Sequence, residues 1–355
     1  MNMTKPAGFI GGGIAALAAV RFALRRQRQI DLRGASVLIS GGSRGLGLEL
    51  AREFARHGSR IALLARDEAE LDRARKDLQS RGAEVLVWRC DVRNPDDVAI
   101  AVGRVLDIRR RIDVLVNVAG VIQVGPMEHM AREDFEQAMA VHFWGPLDLS
   151  REVIPAMRRG SRIVNISSIA GLVAVPHLLP YTASKFALTG LSDGLRAELS
   201  RRGIRVTTVC PGLMRMGSHV NARVKGRHEE EFAWFSLASA SPLLSTTSRS
   251  AARKIVRACR YGDPYLIITP QARLLHLFNS IAPGLSAGIF NLTAQLLPPP
   301  TSRDGDTEKP GWQSRSPVAP SILTRLADRA IRRNNELTAN EADEYFADRN
   351  RRPQE

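Results

Sequence analysis

Short apolar runs alternate with helix-length segments along most of this chain. The runs are rich in Val, Ile and Leu and lack the polar alternation of a strand with one wet face. Such strands are typical of a parallel sheet that helices cover on both sides, with its ligand beyond the carboxyl ends of the strands. We therefore expect an α/β fold with a doubly wound, seven-stranded parallel sheet. The predicted strands are 36–40, 60–65, 84–90, 113–119, 162–168, 205–210 and 265–269, and the helices between them include 46–57, 68–81, 96–110 and 186–201.

The length of 355 residues suits one domain with two extensions. We expect a single domain at 31–297, after an apolar and basic N-terminal segment at 1–30. The tail at 298–355 is rich in Pro, Ser and Gly up to about residue 321 and is predicted to be disordered there. A short amphipathic helix is expected near 322–336.

The N-terminal segment contains a candidate membrane anchor. Residues 7–24 are almost wholly apolar, and Arg25, Arg26 and Arg28 follow them. As a helix these residues are about 27 Å long against about 30 Å of hydrocarbon, so a crossing is marginal. The arginines favour an orientation with the domain facing the cytoplasm. The alternative is an arm packed on the domain, but we expect membrane association.

A second apolar stretch, 274–298, is broken by Pro283 and is typical of interfacial helices or of a cover over a substrate entrance. The net charge of +15 comes mostly from arginines scattered through predicted helices. Without a basic stripe and interleaved aromatic residues, this charge does not indicate a nucleic-acid partner. It favours an anionic membrane surface.

The cysteines do not indicate a metal site or a disulfide framework. Cys90, Cys210 and Cys259 lie far apart, and Cys90 and Cys210 each end an apolar run. We expect buried, reduced thiols in a reducing cytosol and no bound metal.

The first predicted strand runs directly into a glycine-rich turn, SGGSRGLG, before a helix. Its glycines permit a tight turn and let the backbone approach a pyrophosphate, which then lies at the helix N-terminus. The sequence therefore predicts a dinucleotide site. The turn residues expected to contact the cofactor are Gly41, Ser43, Arg44, Gly45, Leu46 and Gly47.

The choice of dinucleotide depends on the end of the second strand. An acidic residue there would bind a ribose 2′-hydroxyl, but this chain has Arg66, and Arg44 lies in the turn. Two guanidiniums suit a 2′-phosphate, and each charge-assisted hydrogen bond contributes about 1.5–3 kcal/mol. We expect NADP(H) in preference to NAD(H). The alternative is that both arginines are solvated surface charges.

Three polar residues form a candidate acid–base group. Tyr181 and Lys185 are four residues apart and would share a helix face, while Ser168 ends the fifth predicted strand. Lowering a phenol pKa from about 10 to about 7 requires ~4 kcal/mol. One ammonium about 4 Å away in a partly shielded site supplies roughly that much. The group is therefore suited to moving a proton to or from a carbonyl oxygen.

These residues together resemble the short-chain dehydrogenase/reductase family over about residues 33–270. The resemblance implies a Rossmann-like single catalytic domain that transfers hydride between NADP(H) and an alcohol or carbonyl compound. It also implies a homodimer that forms through the helices after the fourth and fifth strands. The matching segments are the glycine turn, Asp91-Val92, Asn117-Val118-Ala119-Gly120, the Ser168, Tyr181 and Lys185 set, and Pro211-Gly212.

The resemblance also assigns roles. Tyr181 is implied as the acid/base, Lys185 as the residue that lowers its pKa and holds the nicotinamide ribose, and Ser168 as the residue that orients the substrate oxygen. Asn117 is implied to steady the central sheet. The further cofactor contacts that it implies are Asp91 on the adenine amine, Val92 on the ring, Asn117, Ala119, Gly120, Pro211, Gly212 and Met214.

Two positions depart from the family pattern. His142 replaces an asparagine that supports a proton relay, and Met216 replaces a threonine near the nicotinamide, with Ser218 close by. Imidazole donates and accepts hydrogen bonds, so His142 is a candidate catalytic residue that could titrate near neutral pH. The alternative is a packing substitution in a helix that keeps the relay through its backbone.

An aromatic cluster, Phe232, Trp234, Phe235 and Leu237, falls where this family builds its substrate lid. We predict an NADP(H)-dependent oxidoreductase that acts on an apolar alcohol, ketone or aldehyde of lipid-, steroid- or retinoid-like character. One alternative is an NADP-binding scaffold or regulator with little turnover. The other is an epimerase or dehydratase of the same fold.

Overall fold

The computed structural model describes residues 19–20, 22–242, 244–321 and 323–347. In this part of the chain the main sheet has seven parallel strands, as the apolar runs predict. The strands are β1 (Ser36–Ser40), β2 (Arg60–Ala65), β3 (Val85–Arg89), β4 (Val114–Asn117), β5 (Gln123–Val124), β6 (Arg162–Ile166), β7 (Arg205–Cys210), β8 (Met214–Arg215), β9 (Arg223–Val224), β10 (Thr246–Thr247), β11 (Tyr265–Ile267) and β12 (Lys309–Pro310). The order in the main sheet is β11-β7-β6-β4-β1-β2-β3.

Helices cover both faces of this sheet, so the expected doubly wound α/β architecture is confirmed. One apolar core lies under α1, α2 and α8, and the other lies under α3, α5 and α6. The helices are α1 (Gly45–Arg56), α2 (Glu68–Gln79), α3 (Pro95–Arg109), α4 (Arg132–Met139), α5 (Gly145–Val153), α6 (Leu179–Glu198), α7 (His228–Ala240), α8 (Ser248–Tyr261), α9 (Pro270–Ile281), α10 (Pro283–Gln295), α11 (Arg325–Arg333) and α12 (Ala339–Phe346).

Helix α6 begins seven residues before the predicted start at residue 186. Pro180 lies in its first turn, where a missing N–H costs nothing and the fixed φ suits a helix. The earlier start places both Tyr181 and Lys185 inside one helix, which the acid–base hypothesis requires.

The strand order reverses between β1 and β4, which are neighbours in the sheet although they are far apart in sequence. The glycine turn after β1 and the loop after β4 therefore meet at the carboxyl edge. Gly41 has φ +73°, and a Cβ there would lie 2.6 Å from the Ala119 Cα. Only glycine fits this approach, and in this fold the ligand is expected at this edge of the sheet.

The tail differs from the disorder expected for 298–321. Strand β12 pairs antiparallel with β9, and helices α11 and α12 follow. Tyr345 and Phe346 of α12 pack with Ile331 of α11 against Phe232 of α7. A few apolar side chains spread through a polar tail thus form a small separate core, which the average composition of the tail hides. The helix expected near 322–336 is shorter, at Arg325–Arg333.

Helices α9 and α10 form a hairpin whose apolar side chains are largely exposed. Ile281, Leu285 and Leu296 are 74%, 69% and 81% exposed. Among the described residues, the structure contains no helix that is both long and apolar enough to span a bilayer. Residues 7–18 and Arg21 of the predicted anchor lie outside the described residues.

Candidate active site

The candidate acid–base residues meet at the carboxyl edge of the sheet. Ser168 follows β6, while Tyr181 and Lys185 lie in the first two turns of α6. The Lys185 Nζ is 5.6 Å from the centre of the Tyr181 ring. The structure therefore brings together the three residues that sequence spacing grouped.

Lys185 is almost completely buried, and its Nζ donates a 2.9 Å hydrogen bond to the Ile166 carbonyl oxygen. Removal of the ammonium from water lowers the pKa of Lys185 to about 7. Near neutral pH its charge is thus only partly present. The positive charge of Lys185 is therefore lost as the pH rises through about 7.

Tyr181 behaves differently from the expectation of a phenol with a pKa near 7. Burial raises the pKa of Tyr181 above its ordinary value, and a hydrogen bond with the Ser168 side chain opposes that rise only in part. The phenol is therefore protonated at neutral pH. The expected phenol pKa near 7 assumed a full positive charge on Lys185 and left out the free-energy cost of burying a phenolate.

His142 is fully buried within a π-helical turn, Ala140–Trp144, between α4 and α5. Its Nε2 accepts a hydrogen bond from the Val121 N–H at 3.1 Å, so Nδ1 carries the proton that is shared with Ser184 Oγ at 2.7 Å. The ring is 5.5 Å from that of Tyr181.

The expectation that His142 titrates near neutral pH is wrong. Burial, with a smaller contribution from the Lys185 charge, holds the pKa of His142 well below its ordinary value. Since both ring nitrogens are engaged by Val121 and Ser184, the imidazole ties the loop after β4 to helix α6. This geometry fits the packing alternative.

Asn117 joins neighbouring strands through a buried chain of hydrogen bonds. Its Nδ2 donates to Asn165 Oδ1 at 2.8 Å, and Asn165 Nδ2 donates to Ser192 Oγ at 3.1 Å. Thr208 of β7 donates to the same Ser192 hydroxyl at 2.8 Å. The chain links β4, β6, β7 and α6 directly below the crevice, so it fixes the floor of the site.

The expected cofactor residues surround the reversal of strand order. Val92 is buried against Gly145, and Ala119 and Gly120 face Gly41 and His142, respectively. Gly47 has no room for a side chain, because a Cβ would lie 2.0 Å from the Gly41 carbonyl oxygen. The backbone of Gly47, at the start of α1, therefore packs directly on the backbone of Gly41, directly after β1.

An arginine cluster lies at the ends of β2 and β3. Partial burial lowers the pKa of Arg66, the nearby charge of Asp91 raises it, and the charges of Arg93, Arg44 and Arg223 lower it further. The Asp91 carboxylate accepts hydrogen bonds from Arg93 at 2.6 Å and 3.0 Å. Arg44 and Arg66 were identified from the sequence, whereas Arg93 and Arg223 were not. Arg223 comes close to Arg66 only in the folded protein.

Glu70 is a second residue that sequence reasoning missed. From the first turn of α2 its carboxylate accepts hydrogen bonds from Ser43 Oγ at 2.7 Å and from Arg44 Nη1 at 2.9 Å. A carboxylate therefore occupies two donors that were expected to contact the cofactor, of which Arg44 was expected to bind the 2′-phosphate. No local pattern in the sequence pairs position 70 with the glycine turn.

The segment after β7 closes the crevice from the other side. The Pro211 carbonyl oxygen accepts a hydrogen bond from the Ile169 N–H at 2.8 Å, and Gly212 packs against Thr269 and Ala272. Met214 lies in β8. The Met216 Cε is 3.1 Å from where a Gly45 Cβ would be, so Met216 reaches the glycine turn.

Part of the aromatic cluster lies beside Tyr181. Trp234 and Phe235 pack in an apolar cluster with Leu178 and Tyr181, while Phe232 points away into the small core of the tail. The segment expected to form a lid therefore packs in two places: Trp234 and Phe235 contact the cluster around Tyr181, and Phe232 contacts the tail. The residues around Tyr181 in this cluster are Ile122, Val124, Val175, Leu178, Ala222, Trp234 and Phe235.

Known proteins are similar to this chain in sequence. A family model described as short chain dehydrogenase matches residues 35–226. A dehydrogenase/reductase SDR family protein 7-like from Anopheles gambiae is 32% identical over 77% of this chain and 88% of its own length. Oxidoreductase UcpA from Salmonella typhimurium is 36% identical over 60% of this chain and 82% of its own length.

Solved structures agree with these relatives. L-sorbose reductase from Gluconobacter frateurii, complexed with NADPH and L-sorbose, is similar with a TM-score of 0.61 and 25% identity, over 67% of this chain and 97% of that protein. A dehydrogenase/reductase from Sinorhizobium meliloti is similar with a TM-score of 0.60 and 29% identity, over 69% of this chain and 97% of that protein. The match of the family model over more than half of the chain and the seven-stranded sheet lead to one conclusion: this chain belongs to the short-chain dehydrogenase family of oxidoreductases.

Proposed function

We propose that this protein is an NADP(H)-dependent oxidoreductase that interconverts an apolar alcohol and its ketone or aldehyde. The observation that carries the proposal is the position of Tyr181, with Ser168 and Lys185 beside it and an apolar cluster around its ring. Its phenol lies at the carboxyl edge of the sheet, where ligands of this fold bind.

The acid–base chemistry follows from the state of the phenol. NADPH supplies the hydride for reduction of a carbonyl carbon. Tyr181, protonated at neutral pH, donates its proton to the carbonyl oxygen, and Ser168 donates a hydrogen bond that orients the same oxygen. The charged form of Lys185 stabilises the phenolate that remains. Alcohol oxidation is the reverse sequence.

The arginine cluster supports the choice of NADP(H). Arg44, Arg93 and Arg223 are close enough to lower the pKa of Arg66 at the end of β2, where the adenosine ribose lies in this fold. Several guanidiniums suit a 2′-phosphate better than a neutral hydroxyl. The NADPH complexes among the similar solved structures support the same choice.

The apolar substrate class rests on what surrounds Tyr181. Leu178, Val175, Trp234 and Phe235 pack beside it, and the indole N–H of Trp234 is already bonded to Glu231 at 2.7 Å. A carbonyl compound with an extended hydrocarbon body would bury its surface against this cluster, at about 25 cal/mol per Å².

We also propose that the hairpin of α9 and α10 lies on an anionic membrane surface. Residues 274–301 contain no Asp, Glu, Lys or Arg, and the hairpin exposes Leu274, Ile281, Leu285 and Leu292. The chain carries a net charge of +15, which attracts it to anionic headgroups. Ala272 of α9 packs on Gly212, so the membrane would lie near the site entrance.

Pairing of two copies through the helices after β4 and β6 stays a prediction. Trp144 and Phe186 on these helices are about half exposed and supply apolar surface for such a contact.

Replacement of Tyr181 by Phe should reduce turnover of an apolar ketone by about 10²- to 10⁴-fold, because the proton donor is lost. NADPH oxidation measured by absorbance reports the rate, and NADPH binding measured by fluorescence reports the cofactor site. Tyr265→Phe is the matched control, since its hydroxyl donates to Asp193 at the sheet edge, away from Tyr181. Undiminished turnover in Tyr181→Phe would discard the mechanism. Cofactor binding by the wild-type protein without turnover of any ketone or alcohol would favour the scaffold.

The pH dependence should report Lys185. The ammonium charge of Lys185 is about half present at pH 7, increases at lower pH and is lost as the pH rises through about 7, while the Tyr181 phenol stays protonated. The reductive kcat/KM should therefore fall between pH 6 and 9, since this ratio reports groups of the free enzyme. A profile that stays level to pH 9 would mean that Lys185 keeps its proton.

Replacement of Arg66 by Asp should shift the cofactor preference toward NADH. Loss of one charge-assisted contact to the 2′-phosphate corresponds to about a tenfold to hundredfold change in the ratio of kcat/KM for NADPH over NADH. Arg201→Asp is the control, because this exposed residue follows α6 at the opposite edge of the sheet. An unchanged ratio in Arg66→Asp would remove Arg66 from the cofactor site.

The membrane proposal is tested with vesicles that contain phosphatidylglycerol. The full chain carrying Ile281→Glu and Leu285→Glu should sediment with them at least about tenfold less strongly, because burial of these two exposed side chains in the membrane surface would contribute a few kcal/mol. Ile100→Glu with Ile108→Glu on α3 is the control, as these positions are similarly exposed. Equal sedimentation of both variants would exclude the hairpin. Deletion of residues 1–18 measures the N-terminal segment separately.

A further inference from the structure

The C-terminal segment Asn334–Glu336 lies directly against the glycine-rich turn. The Gly45 N–H donates to the Asn334 carbonyl oxygen at 2.9 Å. The Asn335 side chain donates to the Ser43 carbonyl oxygen at 2.9 Å and to that of Glu70 at 3.1 Å. Nearly 300 residues separate these partners in the sequence, so the contact is a product of the tail's own fold.

Glu336 places a carboxyl group between the two walls of the crevice. It is 4% exposed, its Oε1 accepts a hydrogen bond from the Gly217 N–H at 3.0 Å, and its Oε2 accepts one from Asn221 Nδ2 at 2.9 Å. A Cβ built on Gly45 would lie 3.1 Å from both Glu336 Oε1 and Met216 Cε. The carboxyl group therefore fills the space between the glycine turn and the segment after β7.

This space has the character of a phosphate site. Gly45 is the first residue of α1, and a helix N-terminus presents unpaired N–H groups and a positive partial charge. In the structure, the Gly45 N–H is paired with a tail carbonyl, and the tail's carboxyl group lies beside it. The tail thus supplies the acceptor and the acidic group that a pyrophosphate would otherwise supply.

A second carboxylate occupies the neighbouring phosphate donors. Glu70 accepts from Ser43 Oγ of the glycine turn and from Arg44 Nη1, a group expected to bind a 2′-phosphate. Asn335 also bonds the Glu70 backbone, so the tail contacts both places. Two acidic side chains stand where the two phosphate-bearing parts of the dinucleotide would bind.

We propose that the segment Asn334–Glu336 and the pyrophosphate of the dinucleotide compete for the N-terminus of α1, and that Glu336 sets the apparent affinity for the cofactor. The segment moves off the turn before the dinucleotide binds. The Asn334 carbonyl oxygen and a pyrophosphate oxygen cannot both accept from the Gly45 N–H, and the Glu336 carboxyl group fills the space beside it. The measured affinity is therefore reduced by the fraction of molecules that are closed. This inference rests on the proposed cofactor site.

The burial of Glu336 gives the closed form a pH dependence. Burial raises the pKa of Glu336 to about 7; Arg44 and the bonds from Gly217 and Asn221 lower it, and Glu70 raises it. A raised carboxyl pKa means that closure is most stable below about pH 4 and weakens as the pH rises through about 7. Affinity for NADPH should therefore increase between pH 5 and 7, and this contribution should disappear when the carboxyl group is removed.

Replacement of Glu336 by Ala removes the bonds to Gly217 and Asn221 and should increase the affinity for NADPH about tenfold. Fluorescence titration of the full chain measures the dissociation constant. Glu344→Ala is the matched control, because Glu344 is an exposed glutamate of the same tail. Weaker binding by Glu336→Ala would make Glu336 a cofactor ligand, and unchanged binding would remove it from the site; both results overturn the competition.

A reversible cross-link tests the same proposal by comparing two redox states of one variant, which differ only in whether the tail segment is held on the turn. A Cβ built on Gly217 lies 2.7 Å from the Glu336 Cβ, so cysteines at both positions can form a disulfide after a shift of about 1 Å. The native thiols Cys90, Cys210 and Cys259 are buried. The oxidised double variant should lose NADPH binding, and reduction should restore it in the same sample.

Three results of this titration are distinguishable. Binding that is lost on oxidation and regained on reduction supports the competition. Equal binding by the oxidised and reduced forms overturns the competition alone and leaves the cofactor site intact. Absence of NADPH binding in the wild-type chain overturns the cofactor site and the competition with it.

Discussion

The close approach of two strand ends determines where chemistry occurs in this protein. Gly41 leaves β1 in a left-handed conformation within van der Waals contact of Ala119 after β4, and Gly47 packs on the carbonyl group of Gly41. A side chain at Gly41 would force β1 and β4 apart, and one at Gly47 would push α1 away from the turn. Because the crevice, the start of α1 and the floor held by Asn117 all meet there, the geometry of the site depends on this contact.

Burial favours the neutral forms of the acid–base residues. Enclosure raises the pKa of Tyr181 and lowers that of Lys185 to about 7, so both move toward their neutral forms. A neutral phenol is a ready proton donor, while a lysine near its own pKa is a charge that small changes can remove. His142 is neutral for the same reason and contributes position in place of charge. Burial thus explains the pKa shifts of all three residues.

The sequence was sufficient for the sheet, the glycine turn and the Ser168, Tyr181 and Lys185 set, because each depends on local patterning or on strand ends that parallel topology gathers. The state of these groups was not predictable, since burial is a property of the assembled fold. His142 shows the difference: its position was found, but its titration was misjudged. Arg223, Glu70 and Glu336 were missed because their partners are tens to hundreds of residues away. The tail was misjudged because a composition average conceals the few residues, Ile331, Tyr345 and Phe346, that build its core.

Helix α7 contributes side chains to two apolar clusters, that of the tail and that around Tyr181. Phe232 lies in the cluster of the tail, 6.4 Å from Tyr345 between ring centres, while Phe235, one turn further on, lies in the cluster around Tyr181. A rigid helix cannot change its packing on one face independently of the other. A shift of α7 that repacks the tail cluster therefore also moves Phe235 beside Tyr181, so the folded tail and the surroundings of the phenol are mechanically linked.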